Sequence, residues 1–508
     1  MNIPEINFGN LIYNEHEGKG VYVLNYGNVS TKEFENYIQG FEALGYRLYE
    51  EHTLGANSFC TFKKGNDAVF TAYYPGTEEM RIVTEPNSGF FSFKDIGGRR
   101  KVKMLCTQID LEDFGMSYVL RLCDGRFIII DGGREWEPEA DKLITVLREQ
   151  TIHEKPIIAA WIMTHPHCDH YRAFYPFHEK YKGEVVIEKF LYNFPEASEE
   201  ELVCEETNPV YDKEIKLLPK FDDLITSLAI PVYRLHTGQV YNFCDVRFEV
   251  LSSPDDAFFK PFANFGGFNV ISVVFKMTFE GQVTMWNADT HLVHAKIAER
   301  WGEYLKSDIF QITHHGFQGG DIKAHRLANP KVCLLPVEEA NAYQYIDYYF
   351  DTNLELFYKL DVQEVITGSH GNVTIELPYF PAPNAKQFLY ETIEKNRRTL
   401  GAKTWFFDPV TKDSCTFTFI NAARTCDVYA DLLFEAPNKT IKSIKLSVPG
   451  GRCVKNILNP EDSDGNALFF NRQSLKALGM PDAESFAVRF RSDEPIVITG
   501  AVKAVYSD

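Results

Sequence analysis

T-H-P-H-C-D-H, residues 164–170, puts three histidines and an aspartate into seven residues. Neither type builds a hydrophobic core, and no turn needs them at that density. The run before it, I-I-A-A-W-I-M at 157–163, reads as a buried strand, so the loop starts at a strand end. There the backbone is fixed but released from ladder bonds, and its side chains can be turned into one site. His165 and His167 alternate, which lets both imidazoles face one ion, while Asp169 and His170 project elsewhere. Imidazole nitrogen and carboxylate oxygen bind zinc at about 2.0–2.2 Å, and a catalytic ion takes about three protein ligands plus water. Four such groups in one loop exceed one open site, so the economical reading is two adjacent ions.

Outward from the loop, residues 118–122 and 127–130 form a strand pair around C-D-G, and the second strand runs into Asp131-Gly132-Gly133. A helix follows over 139–149. Later, a strand at 283–286 closes on N-A-D-T (287–290), and another from Ile309 ends in I-T-H-H-G (312–316). A helix is expected over 292–301, for which Asp289 would otherwise serve as a cap. Cys168 reads as filler within the histidine loop.

H-P-H-C-D-H resembles the H-x-H-x-D-H motif of the metallo-β-lactamase superfamily, and D-G-G, A-D-T and H-H-G follow in that superfamily's order. The H-H-G form, the strand 248–252 before a proline, and G-S-H-G-N-V-T-I at 368–375 resemble most closely the soluble hydrolase domain of ComEC-type competence proteins. The likeness runs over residues 102–377. It implies an α/β fold, the four-layer αββα sandwich, and two divalent ions, zinc first, with manganese or iron as alternatives. It also implies His165 and His167 on one ion, Asp169 and His170 on the other, and Asp289 between them. His314 is the expected last ligand of the second ion and His315 the alternative. Asp131 would orient the loop through hydrogen bonds without ligating. Asp169 and Asp289 are the catalytic carboxylates, and His291 and His370 the candidate proton donors.

Two departures from the pattern stand out. Many members carry a further histidine for the first ion in a turn where this chain reads S-S-P-D-D, residues 252–256. His236 and His178 lie on the wrong side of the strands to replace it. Ala288 also stands where many relatives have Gly.

The ComEC-type resemblance implies hydrolysis of a phosphoester or phosphodiester, for which zinc would supply hydroxide by lowering the pKa of bound water from 15.7 to about 7. The same site would serve a lactone, thioester or lactam. A binding or scaffold protein with a weakened centre is the alternative from another class, and a di-iron redox role would need a flavin-binding segment that the sequence does not display.

The remaining composition narrows the partners. Lys and Arg number 52 against 71 Asp and Glu, a net charge of −19, which disfavours long nucleic acid and anionic membrane surfaces and fits a small phosphorylated substrate. The ten cysteines form no C-x-x-C pair, no apolar run reaches a membrane span, and the first residues do not read as a secretory signal, so a cytoplasmic protein is expected. At 508 residues, several domains are expected. Residues 1–95 read as a small α+β module, with a capped helix over 30–45 and strands at 21–24, 59–63, 68–73 and 80–84. Residues 96–400 hold the hydrolase, and 401–508 read as a β-sandwich, a possible binding module, with strands at 416–420, 441–448, 487–490 and 495–502. The aromatic run 343–350 is a candidate cleft wall or interface between copies of the chain.

Overall fold

A computed structural model describes residues 1–16, 20–88, 93–95, 97–112, 115–195, 209–256, 267–293, 295–316, 319–337, 360, 362–368 and 371–385, and strand segments between 402 and 506. Phe127–Asp131, F-I-I-I-D, shows how the centre is built. Ile128 and Ile130 enter one buried cluster while Phe127 and Ile129 enter another, as a period of two requires of a strand covered on both faces. It pairs antiparallel with Ser117–Arg121 and parallel with Ile157–Ile162. A parallel neighbour needs a crossover, supplied by the helix Glu137–Gln150.

The resulting eight-stranded sheet runs, edge to edge, Val232–Arg234, Phe190–Tyr192, Ile157–Ile162, Phe127–Asp131, Ser117–Arg121, Met104–Gln108 and Val373–Leu377, with Val186–Ile187 beside Ile157–Ile162. A second eight-stranded sheet runs Glu364–Ile366, Val332–Leu334, Ile309–Gln311, Gln282–Trp286, Val274–Phe279, Val246–Ser252, Val240–Phe243 and Phe93–Asp95. The two pack face to face: Ile128, Ile130 and Ile162 share a core with Phe248, Phe275 and Ile309. Tyr118 meets Trp286 edge-on with ring centroids 4.8 Å apart. The helices Glu137–Gln150, Phe174–Tyr181 and Pro209–Ser227 cover the far face of the first sheet through Leu143, Phe177 and Phe221. This is an α/β sandwich.

The expected helix over 292–301 is shorter. It spans Ile297–Trp301, because Lys296 takes a left-handed φ of 50° and residues 292–293 and 295–296 form turns. The segment 343–350 and His370 lie outside the described residues.

At the N-terminus, Ser30 caps the helix Thr31–Ala43 in a capping box with Glu33, and Phe34, Tyr37 and Phe41 bury against a six-stranded antiparallel sheet. Its strands include Tyr22–Gly27, Asn57–Lys64, Asp67–Tyr74 and Glu79–Glu85, and also Asn10–His16 and Arg47–Leu54 at the two edges. After Glu85 the chain joins the second sheet, where Phe93–Asp95 runs parallel to Val240–Phe243. Residues 1–315, 323–337 and 366–380 form one compact unit; the other comprises 316–322, 338–365 and 381–508. Within the latter, Ser414–Asn421, Val497–Tyr506 and Ile441–Ser447 belong to a five-stranded sheet, and Asp427–Glu435, Ala483–Arg491 and Leu468–Asn471 form a three-stranded one.

The N-terminal sheet meets the second sheet through buried charge. S-S-P-D-D, the turn that lacks a ligand histidine, supplies Asp255 and Asp256, both buried. Arg81 Nη1 lies 3.0 Å from Asp256 Oδ2, and its Nη2 donates to the Thr237 carbonyl at 2.8 Å. Arg300 Nη2 lies 3.0 Å from Glu79 and its Nη1 3.5 Å from Asp256. His236 Nδ1 lies 3.0 Å from Asp255 and its Nε2 3.4 Å from Glu85. Gly238, at φ 92°, passes so close beneath Phe59 that a Cβ there would sit 2.1 Å from the ring. Such a network is balanced only while complete, because removing one partner strands a buried charge.

Arg81→Ala should therefore destabilise the protein by about 3–5 kcal/mol in urea unfolding. Burial opposes charge on His236, but Asp255 and Glu85 outweigh it and raise its pKa from 6.5 to about 9. Its contribution is complete below pH 6.5 and is lost as pH rises through about 9. The urea midpoint should fall over that interval, and fall less in His236→Gln; equal slopes would remove His236 as the cause.

Candidate metal centre

The ligand-type side chains meet at the ends of strands from both sheets. Phe127–Asp131 ends in Asp131, whose φ of 58° turns the chain sharply. Its carboxylate accepts from Thr164 N–H at 2.7 Å and from the Thr164 hydroxyl at 2.8 Å, and Oδ2 lies 2.7 Å from His170 Nδ1. One buried carboxylate thus ties the first strand end to the histidine loop. Gly133 completes the tie by donating its N–H to the His170 carbonyl at 3.1 Å. Its φ of 97° and the Glu139 carboxylate, 2.2 Å from where a Cβ would stand, leave room only for glycine.

The second sheet contributes Asp289 and the tandem histidines. Gln311 locks their two strand ends together: its Oε1 accepts from Asn287 N–H at 2.8 Å, and its Nε2 donates to the Ala288 carbonyl at 3.4 Å. His314 N–H donates to that same carbonyl at 2.9 Å. Ala288, His314 and His315 have φ of 46°, 49° and 52°. A left-handed non-glycine residue costs about 1–2 kcal/mol, so this strain persists only because the surrounding structure holds it.

Asp289 Oδ2 is the focus. His170 Nε2 lies 3.2 Å from it, His315 Nε2 3.4 Å, His165 Nε2 3.7 Å and His314 Nε2 3.9 Å. His315 Nε2 is also 3.4 Å from Asp169 Oδ2. Two groups of ligand atoms, His165 with His170 and Asp289, and Asp169 with His170 and His315, each fall within 4.8 Å. The His167 ring stands 4.7 Å from that of His165, centroid to centroid, and 5.7 Å from Phe268. His315 is buried, whereas the His314 side chain keeps 25% of its surface exposed and its Nε2 lies 3.1 Å from Asn269 Nδ2. The His291 ring is 6.4 Å from that of His314. Sequence reasoning missed Asn269, Gln311 and Glu139, none of which is a metal ligand by type; Gln311, one residue before I-T-H-H-G, was the most accessible to it.

Electrostatics divide the imidazoles. Burial holds His165 well below the ordinary range and His167 at about 4, so both are neutral bases. Burial opposes charge on His170 and His315 as well, but Asp289 with Asp131, and Asp289 with Asp169, raise them, His315 to about 9. Asp169 and Asp289 stay ionised against their burial because these imidazoles face them. The donor set fits divalent ions: His165 Nε2 and Asp289 Oδ1 are buried with no hydrogen-bond donor or acceptor completing them. A buried polar atom left in that condition costs about 1–3 kcal/mol unless something coordinates it.

No family model matches this chain, and no curated protein matches it. Solved structures give partial likenesses. CmlA, a diiron beta-hydroxylase from Streptomyces venezuelae, is 9% identical over 55% of this chain and 55% of its own, with a TM-score of 0.31. The match therefore spans about half the length of CmlA. A metallo-beta-lactamase from Cronobacter sakazakii is 14% identical over 40% of this chain and 75% of its own, at 0.24. A flavo di-iron protein mutant from Thermotoga maritima is 11% identical over 77% and 63%, at 0.24. These likenesses say nothing of what the chain acts on; the chemistry open to it is set by its own residues.

Asp131 touches the histidine loop only through hydrogen bonds, so Asp131→Asn should weaken metal binding about 10–100-fold while leaving the far-ultraviolet circular dichroism unchanged. A metal affinity equal to the wild type's, measured by chelator competition, would contradict that dependence.

Proposed function

We propose that this protein is a metal-dependent hydrolase of small phosphoesters or phosphodiesters, built on a pair of divalent ions. The observation that carries the reading is the convergence of four imidazole nitrogens, from loops of both sheets, on the Asp289 carboxylate. His165, His167 and Asp289 would hold one ion, and Asp169, His170, His315 and Asp289 the other. His315 takes the last place, in preference to the His314 favoured by sequence, because it is buried and equidistant from both carboxylates. Nitrogen and oxygen donors suit zinc first, with manganese and iron open to the same set. Such ions supply an ionised water at neutral pH and positive charge for the oxygen that becomes negative in the transition state.

The chain's own groups do the rest. Asp169 and Asp289, kept ionised, orient the attacking water and accept its hydrogen bonds. Asp131 keeps His170 Nδ1 engaged so that Nε2 faces inward. His314, a quarter exposed and held at Asn269, is better placed than the more buried His291 to meet a leaving group. A phosphorylated substrate is supported by the motif resemblance, and a small one by the net charge of −19. A cytoplasmic location accords with the free cysteines Cys60, Cys106, Cys123, Cys244 and Cys333 among the described residues.

One observation favours a scaffold protein instead: the turn 252–256 is committed to the N-terminal sheet and offers the centre no histidine. Metal content by plasma mass spectrometry, paired with turnover of bis-p-nitrophenyl phosphate, separates the two readings. The hydrolase should carry two equivalents per chain, and Asp289→Ala or His167→Ala should lose metal and reduce kcat at least about 10²-fold while remaining folded. One equivalent or none, without turnover after zinc or manganese is restored, would establish the scaffold.

A further inference from the structure

The helix Glu137–Gln150 covers the first sheet with apolar residues, Ala140, Leu143, Ile144 and Leu147, yet its first turn buries a carboxylate, Glu139, as completely as any of them. A buried charge is costly unless hydrogen bonds offset the loss of water. Here backbone groups supply them. Glu139 Oε2 accepts the N–H of Arg134, in the turn after Asp131, and the N–H of Glu112 faces the same carboxylate. Three residues further along the helix, Lys142 donates to the Asp110 carbonyl at 2.7 Å and lies 2.8 Å from Glu112 Oε1. One helix end therefore holds two separate segments, residues 109–112 and the turn 131–136.

Both segments bear on the histidine loop. Gly133 N–H donates to the His170 carbonyl at 3.1 Å, and Ala173 N–H donates back to the Gly133 carbonyl at 2.9 Å. Met116 N–H donates to the Asp169 carbonyl at 3.1 Å, and a Cβ on Gly115 would stand 2.7 Å from that carbonyl oxygen. Leu111 is wedged against both: a Cβ on Gly115 would stand 2.7 Å from its Cδ1, and one on Gly133 3.0 Å from its Cδ2. Asp169 and His170, adjacent in the chain, are thus held through their carbonyls by different segments, and Glu139 is the group that binds those segments together. We propose that Glu139 is a positioning residue for the metal centre: its carboxylate joins the two segments and so fixes Asp169 and His170 relative to each other. This role rests on the metal-dependent reading above, in which those two residues serve the second ion.

A carboxylate accepts from both N–H groups, whereas the carboxamide of Glu139→Gln accepts at one oxygen and sets N–H donors against the other. Zinc affinity of the full chain, measured by chelator competition, should fall about 10–100-fold in Glu139→Gln with the far-ultraviolet circular dichroism unchanged. Lys142→Met, at a partly exposed position, loosens residues 109–112 from the same helix and should lower the affinity in the same direction. The pH profile separates positioning from bulk packing. Burial, opposed by the two N–H groups and by the charges of Arg134 and Lys142, raises Glu139 from 4.5 to about 7. Of the other charged groups around it, Asp110 and Glu112 pair with Lys142 and Glu135 with Arg172, and the histidine loop meets the two segments through backbone carbonyls. Protonation makes the carboxyl resemble the carboxamide, so the ratio of wild-type to Glu139→Gln affinity should be largest above pH 7 and shrink toward one below it. Protonation of the ligand histidines is common to both proteins and cancels in that ratio. A ratio independent of pH, or both variants binding zinc as the wild type does, overturns the role of Glu139; so does a Glu139→Gln chain that fails to fold while Lys142→Met binds normally. The expected pH-dependent ratio in a protein without phosphoesterase turnover leaves Glu139 its role and sinks only the hydrolase reading, whereas a wild type that binds no zinc overturns both.

Discussion

The centre of this molecule is a carboxylate that cannot stand alone. Asp289 is buried at the meeting of two sheets, with Asp131 buried and Asp169 half-buried close by. Isolated carboxylates in that setting would cost many kcal/mol, or would take up protons. Asp169 and Asp289 remain ionised because imidazoles surround them, and those imidazoles divide into neutral bases, His165 and His167, and proton carriers, His170 and His315. Metal ligation demands deprotonated nitrogen, so on the proposed reading divalent ions would replace imidazolium charge with metal charge at the same place.

Everything that positions this cluster is backbone at strand ends. Strands lend rigidity up to their last ladder bond, and the loops beyond are turned by residues in left-handed conformation: Asp131, Ala288, His314 and His315. Such strain would relax if each loop were isolated. It is retained because Asp131 bridges to Thr164 and His170 across the first sheet, and Gln311 bonds across the second to the backbone of Asn287 and Ala288. Side-chain to backbone hydrogen bonds of this kind link loops that sequence separates by more than twenty residues, which is why the site can be assembled from segments as distant as 131 and 315.

What the sequence revealed follows the same physics. The loop 164–170 was legible because metal chemistry admits few residue types, and the strands before D-G-G, N-A-D-T and I-T-H-H-G were legible because burial on both faces leaves continuous apolar runs. Asn10–His16 and Arg47–Leu54 were not, since edge strands with largely exposed side chains show no apolar alternation. The shortening of the helix at Lys296 gave no signal, because lysine carries no mark of a left-handed φ. Adjacent histidines were indistinguishable for a related reason. Two consecutive left-handed residues reverse the alternation expected after a strand, so that His315 is buried and His314 keeps a quarter of its side chain exposed.

The turn 252–256 illustrates how one segment cannot serve two ends. Asp255 and Asp256 are drawn away from the centre by Arg81, Arg300 and His236, and that ion cluster seats the N-terminal sheet on the second sheet. A histidine there would have to leave those cations buried without their counter-charges. The first ion is left with the three groups proposed for it, His165, His167 and Asp289. Three protein ligands plus water is the pattern of a catalytic zinc, whereas a fourth side chain closes the site into a structural one. On the proposed assignment, the lack of a histidine in this turn would leave a coordination position for water rather than disable the centre.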